Sequence, residues 1–165
     1  MATTTVDSHA DDDGMKRNEK KWGRVLLDAG WSMIPVVILK RQQALGLDAK
    51  DINIILHLIR HWWYAERLPY PSKREIADCM GIDVSTVRRR IQKLEVAGFV
   101  KRLPRSDSRY GQQTNAYDLS GLIREVEPFA KEEIEERKKR HEEAAEKLTR
   151  KRPRLHVVPL QKKTG

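Results

Sequence analysis

SKREIADCMGIDVSTVRRRIQKLEVAGFVKRLPRSDSRYGQQTNAY, residues 72–117, decides how this chain folds. Ser72 is followed three residues later by Glu75, the spacing of a capping box. In that motif each side chain satisfies the other's backbone amide at a helix start. The helix so opened is short and ends near Met80. Gly81 then lets the chain reverse, since a residue without a Cβ enters the left-handed region at little cost. Asp83 caps a second helix that continues to Ala97, and Gly98 terminates it. Residues 99–103 and 114–119 read as paired strands. Pro104, Asp107 and Gly111 punctuate the polar loop between them. The pattern is helix, tight turn, helix and basic hairpin.

A rotation of about 100° per residue sorts the side chains of these helices. Ile76, Ala77 and Met80 point inward from the first, Ile82 plugs the turn, and Val87, Ile91 and Leu94 point inward from the second. The face opposite carries Ser85, Arg89, Gln92 and Val96. Thr86 and Lys93 flank it on one side and Arg88 on the other. Arg90 turns back toward the edge of the core, with its stem packed and its head on a phosphate or an acid.

Arginine can grip guanine O6 and N7 through two hydrogen bonds, and glutamine can do the same for adenine. Ser85, Thr86, Arg89 and Gln92 are therefore candidates for reading base edges, Arg89 foremost. Lys73, Arg74, Arg88, Lys93, Lys101, Arg102, Arg105 and Arg109 are candidates for phosphate contacts from the helix starts and the hairpin. Tyr110 and the glutamines beside it could hydrogen-bond the backbone of a nucleic acid.

Residues 48–64 form a further helix. Asp48 is its N-cap, and Asp51 is favoured by the helix dipole. Ile52, Ile55, Leu56, Ile59 and Trp63 share one face, and Ile54, Leu58 and Trp62 make a second stripe. A helix apolar on two sides is buried on two sides. One side should lie under residues 72–98. The other should meet residues 22–39, where Pro35 opens a short helix closed by Gly46, or else a second subunit. His57 and His61 stand four apart but lack the further ligands that a metal site needs, so no metal is expected. Cys79 reads as a small core residue.

Residues 1–20 hold almost no large apolar side chains and are expected to be unstructured. Residues 122–150 form a charged helix with a break expected at Pro128. Ile134, His141 and Leu148 recur every seven residues but make a poor zipper seam. Residues 151–165 are a basic tail, expected to be flexible. One domain, residues 21–121, carries the core.

The net charge of +9 favours polyanionic partners. Its distribution is more telling. Arg88, Arg89, Arg90, Lys93, Lys101, Arg102 and Arg105 face one acid, Glu95, whereas residues 131–152 mix both signs. The single cysteine excludes an internal disulfide and suits a reducing compartment. No apolar run approaches the ~20 residues needed to cross a bilayer, and the N-terminus lacks the apolar stretch of a secretory signal. A soluble, cytoplasmic protein is expected. No nucleophile–base pair, glycine-rich phosphate loop or clustered carboxylate set is present, which favours binding over catalysis and calls for no cofactor.

Residues 72–119 resemble the winged helix-turn-helix superfamily. The fragment PSKREIADCMGIDVSTVRRRIQKLEVAGFVKR, residues 71–102, is similar to that family's pattern of PS-x-x-x-I/L-A, glycine turn, TV-x-R and L-x-x-x-G-hydrophobic. Arg90 stands where the family has an apolar residue. More widely, residues 31–119 resemble the helix-turn-helix domains of plasmid and phage replication initiators, which also place W/F-x-x-I/V-P before a long apolar helix. The resemblance implies a mainly α fold with a small β-hairpin wing. It also implies double-stranded DNA as partner and a role in regulating transcription. Replication initiation is the alternative, and a winged-helix module for protein interaction is the second. A homodimer fits, because one module reads only a short half-site. The charged helix is a candidate surface for a protein partner.

Overall fold

The computed structural model describes residues 8–107, 109 and 111–150. In chain order the elements are α1 (Ser8–Trp22), α2 (Arg24–Asp28), α3 (Val36–Lys40), α4 (Ala49–Arg60), α5 (Lys73–Met80), α6 (Val84–Val96), β1 (Lys101–Leu103), β2 (Ser106–Asp107), β3 (Gly111–Gln112), β4 (Ala116–Asp118) and α7 (Ser120–Arg150). The chain divides after Val126 into two compact units. The basic tail and Tyr110 lie outside the described residues.

Two helix starts show why these segments are helical. At α4 the Asp48 carboxylate accepts from the amides of Lys50 and Asp51 at 2.9 and 3.0 Å. Asp51 returns its own carboxylate to the Asp48 amide at 3.2 Å, completing a capping box. At α5 only half of the expected box forms. Ser72 Oγ accepts from the Glu75 amide at 3.0 Å, but the Glu75 carboxylate reaches Arg60 at 2.8 Å and His61 at 3.0 Å instead. Ion pairing across helices outcompetes a local bond to one amide here. Asp83 occupies the N-cap position of α6 in extended conformation but makes no side-chain cap.

Gly81 closes α5 at φ +61°, and the amide of Ile82 reaches back to Ala77 O at 3.1 Å. Ile82 then packs against the core. That core joins Ile54, Ile55 and Leu58 of α4, Ile76 and Ala77 of α5, and Val87, Ile91 and Leu94 of α6. Tyr117, Leu119 and Leu122 close it from the wing side. Each large aliphatic side chain so buried contributes about 1.5–3 kcal/mol.

β1 pairs antiparallel with β4, Arg102 opposite Tyr117, and β2 pairs with β3, Ser106 opposite Gln112. The loop before α5 runs beside β4: Tyr117 N donates to Pro69 O at 2.9 Å and Thr114 Oγ1 to Tyr70 O at 3.1 Å. The wing is thereby tied to the start of α5.

The structure departs from the sequence reading in several places. Residues 1–20 were expected to be unstructured, but α1 begins at Ser8. Local order suffices for it, with Lys20 and Lys21 in the last turn complementing the helix dipole. α4 ends at Arg60, so Trp63 leaves the helix and is exposed. In residues 22–39 only Ile38 is buried. Cys79 is exposed rather than core, with Arg60 Nη1 3.8 Å from its sulfur. α7 runs through Pro128 without a break. That ring forfeits one backbone bond on an exposed stretch, where water can serve the freed carbonyl.

Candidate nucleic-acid interface

The outward face of α6 is assembled as the helical angles require. Ser85, Arg88, Arg89 and Gln92 are exposed and Thr86 is half-buried, while Val87, Ile91 and Leu94 face the core. Among the described residues neither Arg88 nor Arg89 forms an ion pair or hydrogen bond. Two guanidinium groups thus project from the start of the helix with all their donors open to a ligand.

The other two cations of α6 are committed inward. Arg90 Nη1 bonds Asp48 Oδ2 and lies 3.3 Å from Asp51 Oδ1. Lys93 Nζ lies 2.6 Å from Asp51 Oδ2 and 3.3 Å from Gly46 O. Asp51 has no exposure to solvent, and two cations plus the Asp48 amide hold its carboxylate. Burial works against the Asp48 charge, yet the amides of Asp51 and Lys50 and the Arg90 guanidinium hold its carboxyl below the usual range. The hydrogen bond to Asp48 raises Arg90 in turn. Arg90, expected to place its head on a phosphate or an acid, places it on an acid. Lys93, expected to face a phosphate, is paired with a buried carboxylate 2.6 Å away. Sequence reasoning saw Asp51 only as a dipole partner. Its signal was an arginine where an apolar residue was expected, with a lysine three residues on and an acidic capping pair upstream.

At the wing, Arg102 is also engaged: Nη2 lies 2.5 Å from Glu95 Oε2, and its amide donates to Glu95 Oε1 at 3.2 Å. Arg102 therefore anchors β1 to α6 rather than offering a free charge. Lys73, at the start of α5, is half-buried. Burial lowers its pKa, and the positive charges of Arg102 and Arg88 lower it further. Three cations from α5, α6 and β1 thus crowd together with one acid, Glu95, among them. An anion placed there would relieve the repulsion. The Arg105 guanidinium lies over the Tyr70 ring, 4.1 Å from its centroid, which holds the wing base toward α5. Arg74, Lys101 and Arg109 are exposed.

Residues 45–100 match the model of a helix-turn-helix domain family. No curated protein matches the chain. The N-terminal domain of the DnaD protein from Geobacillus kaustophilus HTA426 is similar in structure at a TM-score of 0.49. It is 16% identical, and the match covers 74% of this chain and 96% of that one. A MarR/EmrR family transcriptional regulator from Acinetobacter sp. ADP1 is similar at a TM-score of 0.37 and 20% identity, over 81% of each chain. The matched segment is a helix-turn-helix domain, and the α5–turn–α6–hairpin order gives the chain a winged helix-turn-helix fold.

Proposed function

We propose that this chain binds double-stranded DNA sequence-specifically, with α6 in the major groove and the β1–β4 wing along the flanking phosphates. The observation that carries the reading is the division of the α6 cations. Arg90 and Lys93 are neutralised by Asp48 and Asp51, while Arg88 and Arg89 are left outward beside Ser85 and Gln92. Bidentate Arg89 and Gln92 would read base edges, and Arg88, Lys73, Arg74, Lys101, Arg105 and Arg109 would meet phosphates. The resemblance of residues 72–119 to transcription regulators supports regulation of transcription as the purpose of that binding.

Selection of bound fragments from a random DNA pool, followed by salt titration, tests it. A short enriched motif is expected, with affinity falling by roughly 0.9 log units per log unit of salt for each phosphate contacted. Absence of DNA binding at low salt would sink the proposal. Mapping of occupied sites in cells separates the purposes: promoter-proximal sites fit a regulator, and clustered repeats at an origin fit replication initiation.

A further inference from the structure

Tyr70 stands just before the Ser72 cap of α5, and its ring is 55% exposed. The Arg105 guanidinium, from the loop after β1, lies over this ring, 4.1 Å from its centroid. Both partners are tied through their backbones to the returning limb of the wing. Tyr70 O accepts from Thr114 Oγ1 at 3.1 Å, Pro69 O from Tyr117 N at 2.9 Å, and Arg105 O from Gln113 N at 2.9 Å. The two side chains therefore meet across a frame that is already closed. Arg105 differs here from the other engaged cations. Arg90 and Lys93 commit N–H groups to Asp48 and Asp51, and Arg102 commits its own to Glu95. Among the described residues no carboxylate pairs with Arg105. A ring face attracts a cation through its quadrupole and cancels none of its charge. The side chain is held, and its positive charge stays available.

We infer that Tyr70 is a positioning residue for nucleic-acid binding: its ring holds Arg105 where the guanidinium meets a backbone phosphate. The inference rests on the DNA-binding reading and adds to it an uncharged residue that acts through another. An arginine on an exposed hairpin loses rotamer freedom when it grips a phosphate. One stacked beforehand has lost part of that freedom already. An exposed stack of this kind is expected to change affinity roughly two- to five-fold. Tyr70 also lies on the backbone that runs directly into Lys73 and Arg74. The stack thereby refers a cation of the wing to the start of the helix-turn-helix, so that the phosphates met by each are set relative to one another.

Fluorescence anisotropy of a labelled duplex of mixed sequence, titrated with the full chain across a salt series, tests the inference, since a phosphate contact needs no particular bases. Arg105→Ala should lower the salt slope by about 1, because one phosphate contact is gone. Tyr70→Leu should weaken binding roughly two- to five-fold with the slope unchanged, because the charge is still there. Tyr70→Phe keeps the ring and should bind like the parent. Combined with Arg105→Ala, Tyr70→Leu should have no further effect. The inference is overturned if Tyr70→Leu binds like the parent, or if its loss persists without Arg105. A loss in Tyr70→Phe equal to that in Tyr70→Leu overturns it too, since the hydroxyl would then be a contact in its own right. Should Tyr70→Leu unfold the chain, Tyr70→Thr takes its place, polar and without a ring. Proton NMR of the free chain gives a second readout. The ring current should move the Arg105 δ-methylene upfield in the parent and in Tyr70→Phe, and its absence from the parent overturns the inference. A parent that fails to bind the duplex at low salt sinks the DNA-binding reading and this inference with it. A parent that binds while Tyr70→Leu changes nothing sinks this inference alone.

Discussion

Lys93 of α6 places its ammonium 2.6 Å from the Asp51 carboxylate of α4, a group wholly removed from solvent. With Arg90 on the same carboxylate, this contact agrees with the rotation that burial of Val87, Ile91 and Leu94 gives α6. Turned inward at 90 and 93, the helix must present 85, 88, 89 and 92 outward. Asp51→Ala would leave both cations facing an empty acid site and free the Asp48 amide. A loss of about 3 kcal/mol is expected, since removing one partner of a buried pair strands the other. Lys93→Met should cost less than about 1 kcal/mol, because Arg90 remains and the lysine is half in solvent. Urea unfolding of the three proteins measures this, and equal losses for the two variants would contradict the ordering.

The same geometry sorts the cations on DNA. Arg89→Ala should lose about 1–3 kcal/mol of affinity and relax preference at one base position. Arg88→Ala should weaken all sequences alike and reduce the salt slope by about 1. Lys93→Met and Arg102→Met should leave the slope unchanged, because Asp51 and Glu95 already neutralise them. Fluorescence anisotropy across a salt series on the selected sequence separates the three behaviours. A slope lowered by Lys93→Met would mean that the lysine leaves Asp51 on binding.

Gly121, at the start of α7, touches the end of α6 directly. A Cβ there would come within 1.9 Å of the Gly98 carbonyl oxygen, and the next residue's amide donates to Phe99 O at 2.9 Å. The obstacle is backbone, so it cannot swing aside as a flexible side chain would. Gly121→Ala is expected to cost about 1–3 kcal/mol, read as a lowered thermal midpoint, even though alanine is the better helix former. A neutral or stabilising result would show that α7 does not need this close approach.

His57 supplies a pH dependence. Burial, and then the charge of Arg60, hold its imidazole below the usual value of 6.5. The folded protein therefore takes up this proton at lower pH than the unfolded chain does. Between the two values the unfolded state binds more protons, so stability rises with pH and is lost as pH falls below 6.5. His57→Gln should flatten the change in unfolding free energy between about pH 7 and about pH 5.5. A steeper dependence in the variant would reverse the assigned sign.

Local signals carried the helix-turn-helix. Ser72, Gly81, Gly98 and the spacing of Ile76, Val87, Ile91 and Leu94 act within a few residues of themselves, and the fold keeps each of them. The outward set Ser85, Arg88, Arg89 and Gln92 follows from helical rotation alone. Glu75 and Asp83 show the limit of such signals. The first chose Arg60 and His61 over its own cap, and the second sits at a cap position without bonding.

What the sequence by itself determined is the order of the elements, their inward stripes and the excess of positive charge on α6 and the wing, because these depend on neighbours along the chain. Only the tertiary structure decided which cations remain available. Asp51 precedes Lys93 by 42 residues, and their pairing exists only once α4 and α6 cross. It likewise decided that residues 22–36 stay uncovered, because whether an apolar side chain is buried depends on what the rest of the chain brings to it. The core closes without them.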